Sequence, residues 1–118
     1  MRKRGNISAD RWVKIMCDYS AEGVWMRGGA VALDGFPVSE NLKARLRGWQ
    51  RYYEMNAAPE TEVFFDVALF SRVGLDIARA VKAELPDWTV VYFDEALLAA
   101  APESAPKSAY IYEIVLSD

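Results

Sequence analysis

The stretch FDVALFSRVGLDIARAVKAELPDWTVVYFDE, residues 65–95, decides the fold, because it reads as a helix, an abrupt stop and a buried strand in succession. Asp66 suits the N-cap, where a carboxylate accepts from backbone N–H groups that the first turn leaves unpaired. At 100° per residue, Val67, Phe70, Gly74, Ile77, Ala78, Val81 and Leu85 share one stripe, while Arg72, Asp76, Arg79 and Lys82 point away from it. Gly74 sits in the centre of that apolar stripe, where it costs about 1 kcal/mol of helix propensity relative to Ala. Its presence predicts a close approach to the layer beneath. Pro86 then stops the helix, since it lacks an N–H and pushes Leu85 out of the α region.

The strand that follows, residues 88–93, is apolar on both faces. Trp88, Val90 and Tyr92 alternate with Val91 and Phe93, the pattern of a strand inside a sheet rather than at its solvated edge. Asp94 and Glu95 close it at its carboxyl end, and Asp94 is also placed to cap a short helix over 96–101.

Upstream, residues 12–17 predict a first strand with Val13, Ile15 and Cys17 on one face, ending in Asp18-Tyr19-Ser20. Residues 24–33 admit two readings. Gly28-Gly29 turns a short hairpin, or the segment is an irregular loop that lays Trp25 over the sheet ends. Gly28-Gly29 is not a phosphate loop, because the required spacing to a Lys-Ser or Lys-Thr pair is missing. Ser39 caps a second helix in which Leu42, Leu46, Trp49 and Tyr53 form the core stripe. Lys43, Arg47, Gln50, Arg51 and Glu54 fall on the opposite side, a face that is either solvated or offered to a phosphate or an acidic partner. Residues 57–62 form a polar connection. Residues 102–106 are a loop, and 109–116 a last strand in which Glu113 guards an exposed edge.

One domain of 118 residues, 53% hydrophobic and 26% charged, is expected to bury roughly 65% of its unfolded surface. Residues 1–10 read as a loose basic arm and not as a signal peptide, since no apolar run follows Met1-Arg2-Lys3-Arg4. No run is long enough to span a membrane. A single cysteine, Cys17, rules out an internal disulfide and suits the cytoplasm; it reads as a small buried hydrophobe, with a reactive thiol as the alternative. The absence of histidine removes His-based triads and general bases and His/Cys zinc sites, leaving only a hard cation such as Mg²⁺ on carboxylates as a conceivable cofactor. Net charge is −3 but uneven: residues 1–83 carry thirteen basic and ten acidic side chains, residues 84–118 one and seven. A pI near 5.0 argues against nucleic-acid binding.

The segments MCDYS…VW (16–25), PVSENLKARLRGWQRYYE (37–54) and GLDIARAVKAELPDWTVVYFDE (74–95) resemble a family of small uncharacterised bacterial proteins. Its members share a DY…LW opening, an LSxxLxxxLxxW helix and an ARA…EL…VxYxDE helix–strand unit. The likeness covers roughly residues 12–95. Phe-Pro-Val-Ser stands here where the family often has Leu-Pro-Leu-Ser, and the tail after Glu95 has no counterpart. The resemblance implies an architecture and no activity.

The order strand, hairpin or loop, helix, helix, strand, short helix, strand predicts an α/β fold, with α+β as the alternative: a small mixed sheet of three to five strands covered by two main amphipathic helices. The long helical connection favours parallel pairing of strands 12–17 and 88–93. Their carboxyl ends then bring Asp18 and Tyr19 beside Asp94 and Glu95, with Trp25, Arg27 and Asp34 contributed by the covering loop. Two functions fit. One is a non-catalytic protein-binding module of the immunity or inhibitor type, suggested by the charge asymmetry, the basic helix face and the aromatic content. The other is a small Mg²⁺-dependent enzyme or ligand-sensing domain with Asp18, Asp94 and Glu95 as metal ligands and Arg27 on a phosphate. A homodimer through the last strand or its tyrosines is compatible with both.

Overall fold

A computed structural model describes residues 7–57 and 65–117. The expected basic arm therefore lies partly outside the described residues, as does most of the 57–62 connection. Residues 7–10 form a single helical turn, α1 (Ile7–Asp10). It leads into β1 (Trp12–Ile15), β2 (Val24–Met26) and β3 (Gly29–Ala30), then the long helices α2 (Glu40–Asn56) and α3 (Val67–Glu84). The chain continues through β4 (Thr89–Phe93), α4 (Glu95–Ala100) and β5 (Ile111–Glu113). The five strands lie in the order β3-β2-β1-β4-β5. Only β1 and β4 run parallel, with Val13 beside Val90 and Ile15 beside Tyr92; the other pairs are antiparallel. The fold is a mixed α+β sheet with its two long helices on one side.

Local chemistry sets the helix ends as expected. The Asp66 carboxylate accepts from Leu69 N–H at 3.0 Å, the Ser39 hydroxyl from Leu42 N–H at 3.2 Å, and Asp94 from Leu97 N–H at 3.1 Å. Ser39 also donates its hydroxyl to Glu84 at 2.7 Å, so the start of α2 is tied to the end of α3. The helical layer packs on one sheet face only. Val24, Ile15 and Tyr92 form one buried row across that face, and Val13, Val90 and Ile114 another. Phe70, Ile77, Ala78 and Val81 from α3 and Leu42, Leu46 and Trp49 from α2 close over them.

Gly74 is the point of closest approach. A Cβ there would sit 2.8 Å from Trp49 Cε2, and nearer still to Trp49 Cζ2 and the Tyr92 hydroxyl. Both rings are pinned to α3 by their polar atoms: Trp49 Nε1 donates to the Phe70 carbonyl at 3.1 Å, and Tyr92 Oη to the Ser71 carbonyl at 2.7 Å. Trp49 also stacks on Phe70, centroids 5.0 Å apart.

Two expectations need correction, and one open alternative is decided. Lys43 and Gln50 do not lie on a solvated face; they are 8% and 4% exposed. The Lys43 stem is covered while its ammonium meets Glu40 at 3.2 Å, and Gln50 is enclosed by a returning loop. The last strand is shorter than 109–116, because a 3-10 turn, Lys107–Ala109, precedes it. Ladder pairing does continue past β5 to Ile114, whose N–H donates to the Val90 carbonyl at 2.7 Å. Residues 24–30 are the hairpin, not the irregular loop, with Met26 opposite Gly29. Gly29 takes φ +147°, a conformation an L side chain seldom adopts.

Candidate functional site

Parallel pairing sends β1 and β4 toward the same edge of the sheet, so Asp18 and Glu95 meet at a common rim. Asp18 follows β1 on a tight turn: its Oδ1 accepts from Tyr19 N–H at 2.8 Å, and Ser20 adopts φ +63°. That turn is fastened to the last turns of α2. Gln50 Nε2 donates to the Asp18 carbonyl at 2.6 Å and to Glu54 Oε2 at 2.9 Å, and Ser20 N–H donates to the same Glu54 oxygen at 3.3 Å. Among the described residues, Gln50 Oε1 is buried and has no hydrogen-bond partner. Tyr19 is 49% exposed, and its ring lies 5.5 Å from that of Tyr53.

The electrostatics follow from this gathering of like charge. Burial holds the Glu95 carboxyl above its ordinary value, and Asp18 and Asp94 add to the effect. Tyr53 is pushed up to about 12, by burial first and then by Glu95 and Asp18. The buried thiol of Cys17 is raised further by burial and by Glu95, Glu54 and Asp18, which makes it an inert core side chain. Among the described residues, the ion pairs are Arg27 with Asp10, Lys43 with Glu40 and Arg47 with Asp34. None neutralises a rim carboxylate.

The residues singled out from sequence divide into four groups. Asp18, Tyr19 and Glu95 come together at the rim. Asp94 is beside them but occupied: it is 8% exposed, with one oxygen capping α4 and the other accepting from the Tyr112 hydroxyl at 2.8 Å. Trp25 and Arg27 lie on the sheet face away from the helices. Trp25 reaches back toward the rim, its Nε1 donating to the Met16 carbonyl at 2.9 Å. Arg27 is at the other end of the sheet, over the Trp12 ring at 4.7 Å and 3.8 Å from Asp10. The physical reason is direction: β2 runs antiparallel to β1, so each residue beyond Trp25 moves away from the rim. Asp34 pairs with Arg47 at 3.6 Å.

Gln50, Tyr53 and Glu54 were missed as rim residues. The i,i+4 spacing of Gln50 and Glu54 near the end of a 17-residue helix was the available signal. Asp18, Asp94 and Glu95 do not converge as ligands; among the described residues no group of three Cys, Asp or Glu side chains is arranged to hold a metal ion. The magnesium reading has no such group to rest on. Among the described residues no helix is long and apolar enough to cross a membrane.

No curated protein matches the sequence significantly. Residues 11–95, from just before β1 to the first residue of α4, match the family described as Serratia CdiI immunity protein-like. The span agrees with the motifs at 16–25, 37–54 and 74–95 that carried the resemblance to small bacterial proteins. On that match, covering well over half of its length, the chain belongs to the Serratia CdiI immunity protein-like family.

Proposed function

We propose that this protein is a non-catalytic binding module of the immunity type, which neutralises a partner protein by occupying a cationic surface on it with the rim formed by Asp18, Tyr19, Glu54 and Glu95. Family membership supports a protein partner. The observation that carries the choice of surface is the rim itself: its carboxylates crowd one another, Glu95 is half-buried, and none of them takes part in the ion pairs of the described residues. Like charges held together without a counter-charge destabilise the free protein, and an incoming Lys or Arg cluster relieves that cost. Tyr19, half-exposed and braced against Tyr53, supplies a rigid aromatic contact of the kind that anchors interfaces. The setting is cytoplasmic, in keeping with a lone buried thiol.

The test uses the protein encoded by the adjacent gene as probe, mixed with this chain and followed by size-exclusion chromatography and surface plasmon resonance. A one-to-one complex is expected. Asp18→Asn with Glu95→Gln should slow association about tenfold at low ionic strength and flatten its salt dependence. A complex whose association rate ignores both the substitutions and the salt would remove the rim from the interface.

A further inference from the structure

The sheet has a second face, and none of the three longer helices covers it. Register places its side chains in three rows. Arg27, Trp12 and Thr89 form the first, Trp25, Lys14, Val91 and Glu113 the second, and Met16, Phe93 and Ile111 the third. Trp12, Lys14, Met16, Trp25, Val91, Phe93 and Ile111 are all only half-buried. The Ile114 N–H bond to the Val90 carbonyl continues the register, so Val115, 78% exposed, falls beside Thr89 in the first row. This face combines Trp, Met, Phe and Arg, the residues that dominate interface cores.

We propose that the open face is closed by a second copy of this chain, stacked sheet against sheet about a two-fold axis that runs along β4. The arrangement of charge argues for self-association. Lys14 and Glu113 lie in one row, each one strand from Val91, on opposite sides of it. A two-fold axis along β4 exchanges those two positions, so Lys14 opposes the partner's Glu113 and Glu113 the partner's Lys14, while Val91 meets its own copy. The same operation sets Trp12 against the partner's Val115 and Met16 against the partner's Ile111, and it pairs the two Phe93 rings. Lys14 and Glu113 each gain an opposite charge, and Trp12, Met16, Val91 and Phe93 each an apolar neighbour, as an isologous interface requires; Trp25 and Arg27, two strands from β4, stay outside the overlap. Stacked sheets lie about 10 Å apart. Three overlapping strands (β1, β4 and β5) at about 4.8 Å and five residues at about 3.4 Å give a face roughly 14 by 17 Å. That lies below the ~800 Å² per partner of a standard interface, so the dimer is weak. Its residues differ from those of the acidic rim, and the inference stands or falls separately from the proposed function.

Sedimentation velocity between 10 and 300 µM tests it. The wild-type chain should pass from monomer to dimer with a midpoint of tens of micromolar. Lys14→Glu and Glu113→Lys, each of which sets like charge on like charge twice, should each raise the dissociation constant at least tenfold. The double variant Lys14→Glu/Glu113→Lys should return it to within about threefold of wild type. Val115→Arg, at a position too exposed to affect folding, should also abolish the dimer. A wild-type chain that stays monomeric at 300 µM overturns the proposal. So does a dimer indifferent to these substitutions, or a double variant that recovers nothing.

Discussion

Replacing Gly74 by Ala is the sharpest test of how the two layers fit. The new methyl would arrive 2.8 Å from Trp49 Cε2 and closer to the Tyr92 hydroxyl. Neither ring can retreat freely, because each is hydrogen-bonded to a carbonyl of α3, at 3.1 Å and 2.7 Å respectively. Forcing a methyl into a packed core costs about 2 kcal/mol. Moving either ring far enough to leave its buried donor unpaired costs a further ~2 kcal/mol. The better helix propensity of Ala returns about 1 kcal/mol. The balance is a loss of about 3 kcal/mol, or about 12 °C in melting temperature for a domain of this size. Gly48, in the middle of α2, supplies the control, since a Cβ there meets nothing within 4 Å. Gly48→Ala should gain 0.5 to 1 kcal/mol, about 2 to 4 °C, from the same propensity difference. Thermal melts followed by far-UV circular dichroism read both. If Gly74→Ala melts at or above wild type, the close contact between α3, Trp49 and Tyr92 does not limit stability and the reasoning fails.

Two other perturbations probe the rim from the side of stability and reactivity. The Glu95 carboxyl is held above its usual value by burial, with Asp18 and Asp94 adding, so the folded chain binds that proton more tightly than the unfolded one. Its contribution to stability is therefore greatest below the unfolded pKa and falls as pH rises through the folded value. Glu95→Gln should melt higher than wild type at pH 7, with the gap closing toward pH 4; a lower melting temperature at pH 7 would contradict the crowding of charge. Burial and the neighbouring carboxylates likewise hold the Cys17 thiol protonated. It should ignore a disulfide-exchange reagent for hours at pH 8 in the folded protein and react stoichiometrically in denaturant, and prompt labelling of the native chain would show the pocket to be open.

Much of the fold was legible because it rests on local chemistry and on period. Asp66, Ser39 and Asp94 cap their helices through their own side chains. The misfit of a glycine in an apolar stripe foretold the contact at Gly74, and two-faced apolarity placed β4 inside the sheet. Parallel pairing of β1 and β4, and with it the meeting of Asp18 and Glu95, followed from the length of the connection. What escaped was whatever depends on which neighbour folds back. Helical periodicity ranks angles about an axis and is blind to a loop returning over the side of α2, so Gln50 was placed on a face read as solvated or partner-facing, although it is buried. Arg27 was misplaced because a hairpin reverses direction, and sequence distance from Trp25 does not say toward which end. Burial on one face of β4 also says nothing of whether helices lie on its other face; among the described residues none of the three longer helices does.

The fastening of residues 18–20 to α2 by Gln50 and Glu54 has a kinetic side. A loop that had to be ordered on contact would add its conformational entropy to the barrier for capture and slow it. With the backbone beneath Asp18 and Tyr19 already held by a helix, collision in the right orientation is enough. For the proposed binding role, a turn held in this way favours fast capture over slow settling.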